Sequence, residues 1–216
     1  MTDEIFSYIQ EKARRRVYRP GEMVFCQGDE PQELFYLVSG LSLTYSVLED
    51  GQERSVLITW PGRFFGAATM FEGVKRRSSA IALKPCEVLI IGRALYDDCA
   101  ARFPDFNALL LREISADLGT MFEQLVDSSL LDTDSKVARF ICRRLTRRQC
   151  SMENGLPTLH YTQEFIARVL GISRPSVSLA LSALAARGLI TTSYGSITVR
   201  DAEALCAYAY EEQRKR

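Results

Sequence analysis

The sequence predicts an α+β protein in three parts: an N-terminal antiparallel β-roll over residues 1–103, a long helix over 104–132, and a C-terminal winged helix-turn-helix over 133–216. Three observations carry this. Short apolar segments punctuated by eight glycines fill the chain from Val17 to Gly92. From Asp105 to Asp132 only Gly119 interrupts a run otherwise free of glycine and proline. A capped helix, a glycine and a second capped helix follow one another between Thr162 and Leu184. Strands first and helices afterwards argue for segregated α and β structure rather than alternating βα units.

In Leu41-Ser42-Leu43-Thr44-Tyr45-Ser46-Val47-Leu48 the apolar residues fall at alternate positions, the period of a strand. Asp50-Gly51 then predicts a tight hairpin, and Ser55–Trp60 is the return strand, stopped by Pro61-Gly62. Ser79–Leu83 and Glu87–Ile91 are expected as a further pair of strands about Lys84-Pro85. Between these pairs lies the one stretch of the roll with site chemistry. Gly62 and Gly66 bracket Phe64-Phe65, small residues Ala67 and Ala68 follow, and Arg77 and Ser78 come eleven and twelve residues after Gly66. A tight turn opening a short helix would offer backbone N–H groups to an anion, and Arg77 and Ser78 could add a forked cation and a hydroxyl. Glycine and arginine in an ordinary solvated turn would look the same.

Phe103-Pro104-Asp105 marks a helix start, with proline in the first turn and an acid near the positive end of the helix dipole. Leu111, Ile114, Leu118, Met121, Leu125 and Ser128 recur at alternating spacings of 3 and 4, an a/d seam. Leu110, Phe122 and Val126 widen it. Such a rod would run roughly 40 Å at about 1.5 Å per residue, longer than a roll needs. The seam is therefore expected to pack on the roll and on a second copy of the chain. Leu131–Asp134 breaks the pattern and is the expected hinge. A helix over Lys136–Arg148 follows, capped by Asp134 or Ser135 and ending in cations, and then a loop over Ser151–Pro157.

Thr162 caps the next helix, whose buried face is Ile166, Ala167 and Leu170. Gly171 permits the tight turn, Ser173 caps the second helix, and Pro175 occupies its first turn. Val177, Leu181 and Leu184 point inward, which leaves Arg174, Ser176, Ser178 and Ser182 outward. A helix presenting one arginine among short hydroxyls can enter a major groove, where arginine forks onto guanine. A hairpin through Tyr194-Gly195 supplies the wing. The charge distribution agrees: residues 1–133 hold 14 Lys/Arg and 20 Asp/Glu, residues 134–216 hold 13 and 7, and the net charge is zero. Nucleic acid would meet the basic back.

The composition, 47% hydrophobic and 25% charged, is that of a folded globular chain. No apolar run reaches the roughly 18–20 residues of a membrane span, and the charged N-terminus lacks a signal core. No membrane partner and a cytoplasmic location are expected. Cys26, Cys86, Cys99, Cys142, Cys150 and Cys206 show no CxxC spacing and are expected as free thiols. A single histidine, His160, disfavours zinc chemistry and a serine triad, and no phosphate loop is present. Neither an enzyme nor a metal site is expected.

With these pieces assembled, the chain resembles the Crp/Fnr (cyclic-AMP receptor protein/FNR) family of transcription regulators. The matching pieces are Arg19-Pro20-Gly21-Glu22, Gln27-Gly28-Asp29, Leu34–Gly40, the Gly62–Ser79 cassette, the long helix and Ile172–Ser178. The resemblance implies a cyclic-nucleotide-binding-like effector roll, a homodimer formed along Leu111, Ile114, Leu118, Met121 and Leu125, and a palindromic site on double-stranded DNA. RNA polymerase is a further partner it implies. DNA would be met by Thr162, Gln163, Ser173, Arg174, Pro175, Ser176 and Ser178, with Arg174 and Ser176 reading bases. Leu179 stands where relatives often carry a base-contacting arginine.

The effector cassette departs from the family. The pattern typically runs Phe-Gly-Glu and later Arg-Ser/Thr; Gly66, Arg77 and Ser78 match, but Ala67 replaces the glutamate that would accept from a ribose hydroxyl. Met121 and Phe122 are apolar where hydroxyls would meet adenine. Cyclic AMP is thereby disfavoured. The N-terminal cysteine cluster of the iron–sulfur branch and the sensor-domain histidine of the haem branch are both missing, so neither cofactor is expected. What remains is a small organic effector, anionic and partly apolar, near Gly66, Ala67, Ala68, Arg77, Ser78, Met121, Phe122 and Leu125. It would act by shifting a two-state equilibrium in the spacing of the paired recognition helices. The rivals are a thiol sensor of the same fold using Cys26 or Cys86, and a cyclic-nucleotide-binding module that does not act on DNA.

Overall fold

The computed structural model describes residues 3–211, which divide into two compact units, one ending at Glu123 and the other starting at Gln124. The first contains α1 (Asp3–Lys12), β1 (Arg14–Tyr18), β2 (Met23–Phe25), β3 (Glu33–Val47), β4 (Glu53–Thr59), β5 (Arg63–Phe65), α2 (Ala67–Glu72), β6 (Ser79–Gly92), α3 (Arg93–Arg102) and the start of α4 (Asp105–Leu130). Every strand pair is antiparallel, in the order β1-β6-β3-β4, with β2 on β6 and β5 on β3.

Successive residues of β3 and β6 serve two different cores. Leu34, Tyr36, Leu89 and Ile91 pack with Ile5 and Ile9 of α1 and with Phe106 and Leu110 of α4. Phe35, Leu37, Val88 and Ile90 point the other way, into the roll, and meet Tyr18, Phe25 and Phe65. Because both faces are covered, Leu34–Leu37 is an unbroken apolar run rather than an alternating one. Arg63 of β5 pairs with Glu113 and Asp117, one turn apart on α4.

The hairpin after β3 forms at Glu49–Gln52, closed by the Leu48 N–H donating to the Gln52 carbonyl at 2.9 Å. The expected pair of strands about Lys84-Pro85 is instead one strand, β6, which passes through both residues. Its register against β3 slips at three places between Leu37 and Ser42. Proline is tolerated at such irregularities because no ladder N–H is required there. Gly40 faces this point with φ +94°, and a Cβ on it would lie 2.1 Å from the Pro85 carbonyl oxygen, so only glycine fits.

The second unit holds the end of α4, then α5 (Thr133–Thr146), β7 (Ser151–Glu153), β8 (Leu156–Leu159), α6 (Gln163–Leu170), α7 (Arg174–Ala186), β9 (Ile190–Ser193), β10 (Ser196–Val199) and α8 (Ala202–Glu211). Three expectations are corrected. The cap of α5 is Asp132, which accepts from the Ser135 N–H at 2.7 Å, and not Asp134 or Ser135. The expected loop over Ser151–Pro157 is the hairpin of β7 and β8, which extends the wing into a sheet of order β7-β8-β10-β9. Cys142 and Cys206 are not free thiols but a disulfide joining α5 to α8, their Cα atoms 5.5 Å apart. They stand 64 positions apart in the chain, so only the packing of α8 on α5 reveals the pair.

Candidate nucleic-acid interface and effector cassette

The helix-turn-helix is built from local signals. Thr162 accepts from the Phe165 N–H at 3.1 Å to start α6, and Gly171 ends it at φ +64°. Ser173 accepts from the Ser176 N–H at 3.2 Å to start α7, with Pro175 in the first turn. The axes of α6 and α7 bend by 109° across the break, within the range of helix-turn-helix motifs. Beneath α6, Tyr161 stacks on Phe165 with centroids 4.7 Å apart, and Phe140 of α5 meets both edge-on. Arg144 lies buried over the Phe140 ring, and burial pulls its guanidinium down to about 10, which leaves it charged at neutral pH.

Val177, Ala180, Leu181 and Leu184 bury one face of α7. Thr162, Ser173, Arg174 and Pro175 are exposed, and Gln163, Ser176 and Ser178 are half-buried. Thr162, Gln163, Arg174, Thr192, Tyr194 and Ser196 line a groove of about 400 Å³ between the start of α7 and the wing. Tyr194 stands fully exposed at the wing tip. The structure thus gathers Thr162, Gln163 and Arg174 at one opening and adds a wing tyrosine. Sequence reasoning placed Tyr194 in the hairpin but gave it no role; an aromatic beside the turn glycine was the available signal.

In the roll, Gly66 opens α2 at φ +74°, Ala67 is buried, Ala68 exposed, and Ser78 half-buried. Arg77 is exposed and forks onto Glu72, both nitrogen–oxygen distances 2.5 Å. The arginine turned inward is its neighbour Arg76, which sequence reasoning passed over. Arg76 is 4% exposed and donates to the carbonyls of Gly66 and Glu33 and to Thr69 Oγ1 at 3.0 Å. Its guanidinium lies 4.5 Å from the Phe25 ring centroid. Burial lowers its pKa, against the raising influence of Glu33 and Asp29. A Cβ on Gly66 would come within 3.0 Å of Arg76 Nη1 and of the Phe35 ring, so the glycine is needed for approach as well as for φ. Two adjacent arginines gave no sign of which faces in; the register of the chain entering β6 decides it.

Along α4, Leu111, Leu118, Met121, Phe122 and Leu125 are exposed, the leucines and phenylalanine by about two-thirds, while Ile114 packs against the roll core. These side chains leave an exposed apolar stripe along one side of the helix. Of the thiols named as sensor candidates, Cys26 is exposed, whereas Cys86 is fully buried, donates to the Leu41 and Lys84 carbonyls, and is pushed up by burial. At the β7–β8 hairpin, Ser151 Oγ and Glu153 both meet the same His160 nitrogen, Nε2, at 3.0 and 2.9 Å. A relay from acid through histidine to serine needs the two opposite nitrogens. No single described helix is long and apolar enough to cross a membrane.

Comparison with known proteins places a cyclic nucleotide-binding domain at residues 15–103 and a Crp-like helix-turn-helix domain at residues 135–208. The chain is 31% identical to the cyclic AMP receptor protein of Thermus thermophilus, over 96% of this chain and 92% of the relative. It is 30% identical to the CRP-like cAMP-activated global transcriptional regulator of Mycobacterium tuberculosis, over 88% and 85%. Among solved structures, FixK2 from Bradyrhizobium japonicum matches with a TM-score of 0.78 at 21% identity, over 91% of this chain and 96% of that one.

Proposed function

The chain belongs to the Crp/Fnr family of transcription regulators, and from that premise we propose that it binds a palindromic DNA site as a homodimer under the control of a small effector other than cyclic AMP. The observation that carries the DNA half is the capped helix α7, with Arg174 exposed at its start beside the wing groove. Phosphate contacts fall to Thr162 and Ser178, base contact to Arg174. The exposed stripe Leu111, Leu118, Met121 and Leu125 on α4 supports pairing of two copies, which would present two recognition helices to the two half-sites. Arg174→Ala is expected to cost about 1–3 kcal/mol of affinity for the preferred site and to relax base preference at one position per half-site. Gel shifts on a site selected from random duplexes check this; unchanged affinity and preference would remove Arg174 from base readout.

The two relatives are named for cyclic AMP, which makes it the first ligand to test. Against it stands Ala67, a buried methyl where the family pattern has a carboxylate, together with the apolar Met121 and Phe122. A thermal-shift titration with cyclic AMP beside a panel of organic acids distinguishes the two. A ligand at about 100 times its Kd stabilises by roughly 2.7 kcal/mol, a shift of several degrees. The expected result is no shift with cyclic AMP and a shift with an acid; a cyclic AMP shift overturns the effector assignment. Thiol control is a second reading, favoured by the Cys142–Cys206 disulfide in the DNA-binding unit rather than by Cys26 or Cys86.

A further inference from the structure

The middle of the exposed face of α7 is apolar. Leu179 is 72% exposed and lies opposite the buried Val177, Ala180, Leu181 and Leu184. The short side chains around it are turned elsewhere. Ser182 Oγ donates back to the Ser178 carbonyl at 2.9 Å, and Ser176 Oγ is shared with Ser173 Oγ at 2.7 Å. Pro175, one turn before Leu179, has no donor to offer. Past Arg174, the side chain that protrudes furthest from this face is therefore a branched hydrocarbon rather than a hydrogen-bonding group.

A lone exposed leucine needs no explanation on an ordinary surface, but this one sits on the helix that meets DNA. The major-groove edge of B-DNA offers hydrogen-bond donors and acceptors and a single apolar group, the C5-methyl of thymine. We propose that Leu179 reads that methyl, so that each half-site carries a thymine selected by apolar contact. This rests on α7 being the recognition helix. Leu179 follows Arg174 by five residues, about 7.5 Å along the axis and about 140° around it, so the two side chains address different positions of the half-site.

The test uses the full chain. A site is first selected from a pool of random-sequence duplexes with the wild-type protein, and each thymidine in it is then replaced singly by deoxyuridine, which removes only the methyl. The expected result is one position per half-site at which the wild type loses roughly fourfold in affinity, the worth of one buried methyl. Leu179→Ala, at an exposed position that leaves the fold intact, should bind thymine and uracil at that position within about twofold. Melting curves for the variant and the wild type should coincide.

Indifference of the wild type to uracil at every thymine would overturn the assignment while leaving DNA recognition standing. So would a thymine-to-uracil ratio unchanged in Leu179→Ala. Failure of the wild type to enrich any sequence would overturn both the assignment and the DNA-binding function beneath it.

Discussion

Asp127→Ala is expected to destabilise the C-terminal unit by about 3–5 kcal/mol, the cost of leaving a buried charge without its partner. Asp127, near the end of α4, is itself buried and holds two arginines of α5. Arg139 Nη1 donates to Asp127 Oδ1, and Arg143 Nη2 lies 2.7 Å from Oδ2. Arg139 is 2% exposed. Its Nε donates to the Ala209 carbonyl of α8 at 2.7 Å, and its guanidinium rests 4.6 Å from the centroid of Tyr210. One carboxylate thus ties the last turns of α4 to α5, and through Arg139 to α8. Without it the Arg139 charge keeps, among the described residues, a carbonyl and a ring face, too little to offset its desolvation.

Urea unfolding followed by far-ultraviolet circular dichroism measures the loss. The double replacement Asp127→Leu with Arg139→Met should recover much of it, because an apolar pair of similar volume needs no desolvation of charge. A single-variant cost below about 1 kcal/mol, the range of exposed ion pairs, would show that the pair is open to water.

Reduction of Cys142–Cys206 is the second large effect. The crosslink closes a 64-residue segment, and the loss of chain entropy in the unfolded state makes such a closure worth about 4 kcal/mol. Dithiothreitol should lower the urea midpoint of the wild-type protein, and the Cys142→Ser, Cys206→Ser double variant should unfold at the lower midpoint with or without reductant. Equal midpoints for oxidised and reduced wild type would show that the link contributes nothing to stability. Gel shifts under the same two conditions separate structure from control. Weaker DNA binding on reduction, with the fold still intact, supports thiol control, and unchanged binding assigns the disulfide to stability alone.

Much of the helix-turn-helix was legible residue by residue. Thr162, Ser173, Pro175, Gly171 and the inward spacing of Val177, Leu181 and Leu184 are local signals, each acting within about one helical turn of itself. The structure shows each in the expected conformation. The α4 stripe was equally legible, because helical periodicity alone decides which residues share a face. The roll was recognisable as a class but misread in detail. Lys84-Pro85 looks like a turn in isolation, and only the pairing of β6 with β3, with Gly40 admitting the Pro85 carbonyl, makes it a passage through a continuous strand.

By itself, then, the sequence determined the order of roll, long helix and winged helix-turn-helix, the buried face of α7, the caps of α6 and α7, and the family to which the chain belongs. Tertiary structure decided which of two adjacent arginines, Arg76 or Arg77, enters the roll. It also decided which two of six cysteines meet, and that Asp127 gathers Arg139 and Arg143. The difference has one physical reason. Caps, positive-φ glycines and periodic faces depend on backbone geometry within a few residues. Partners far apart in sequence become neighbours only when packing and strand register bring them together, and a slip of one residue reverses which side chain points inward.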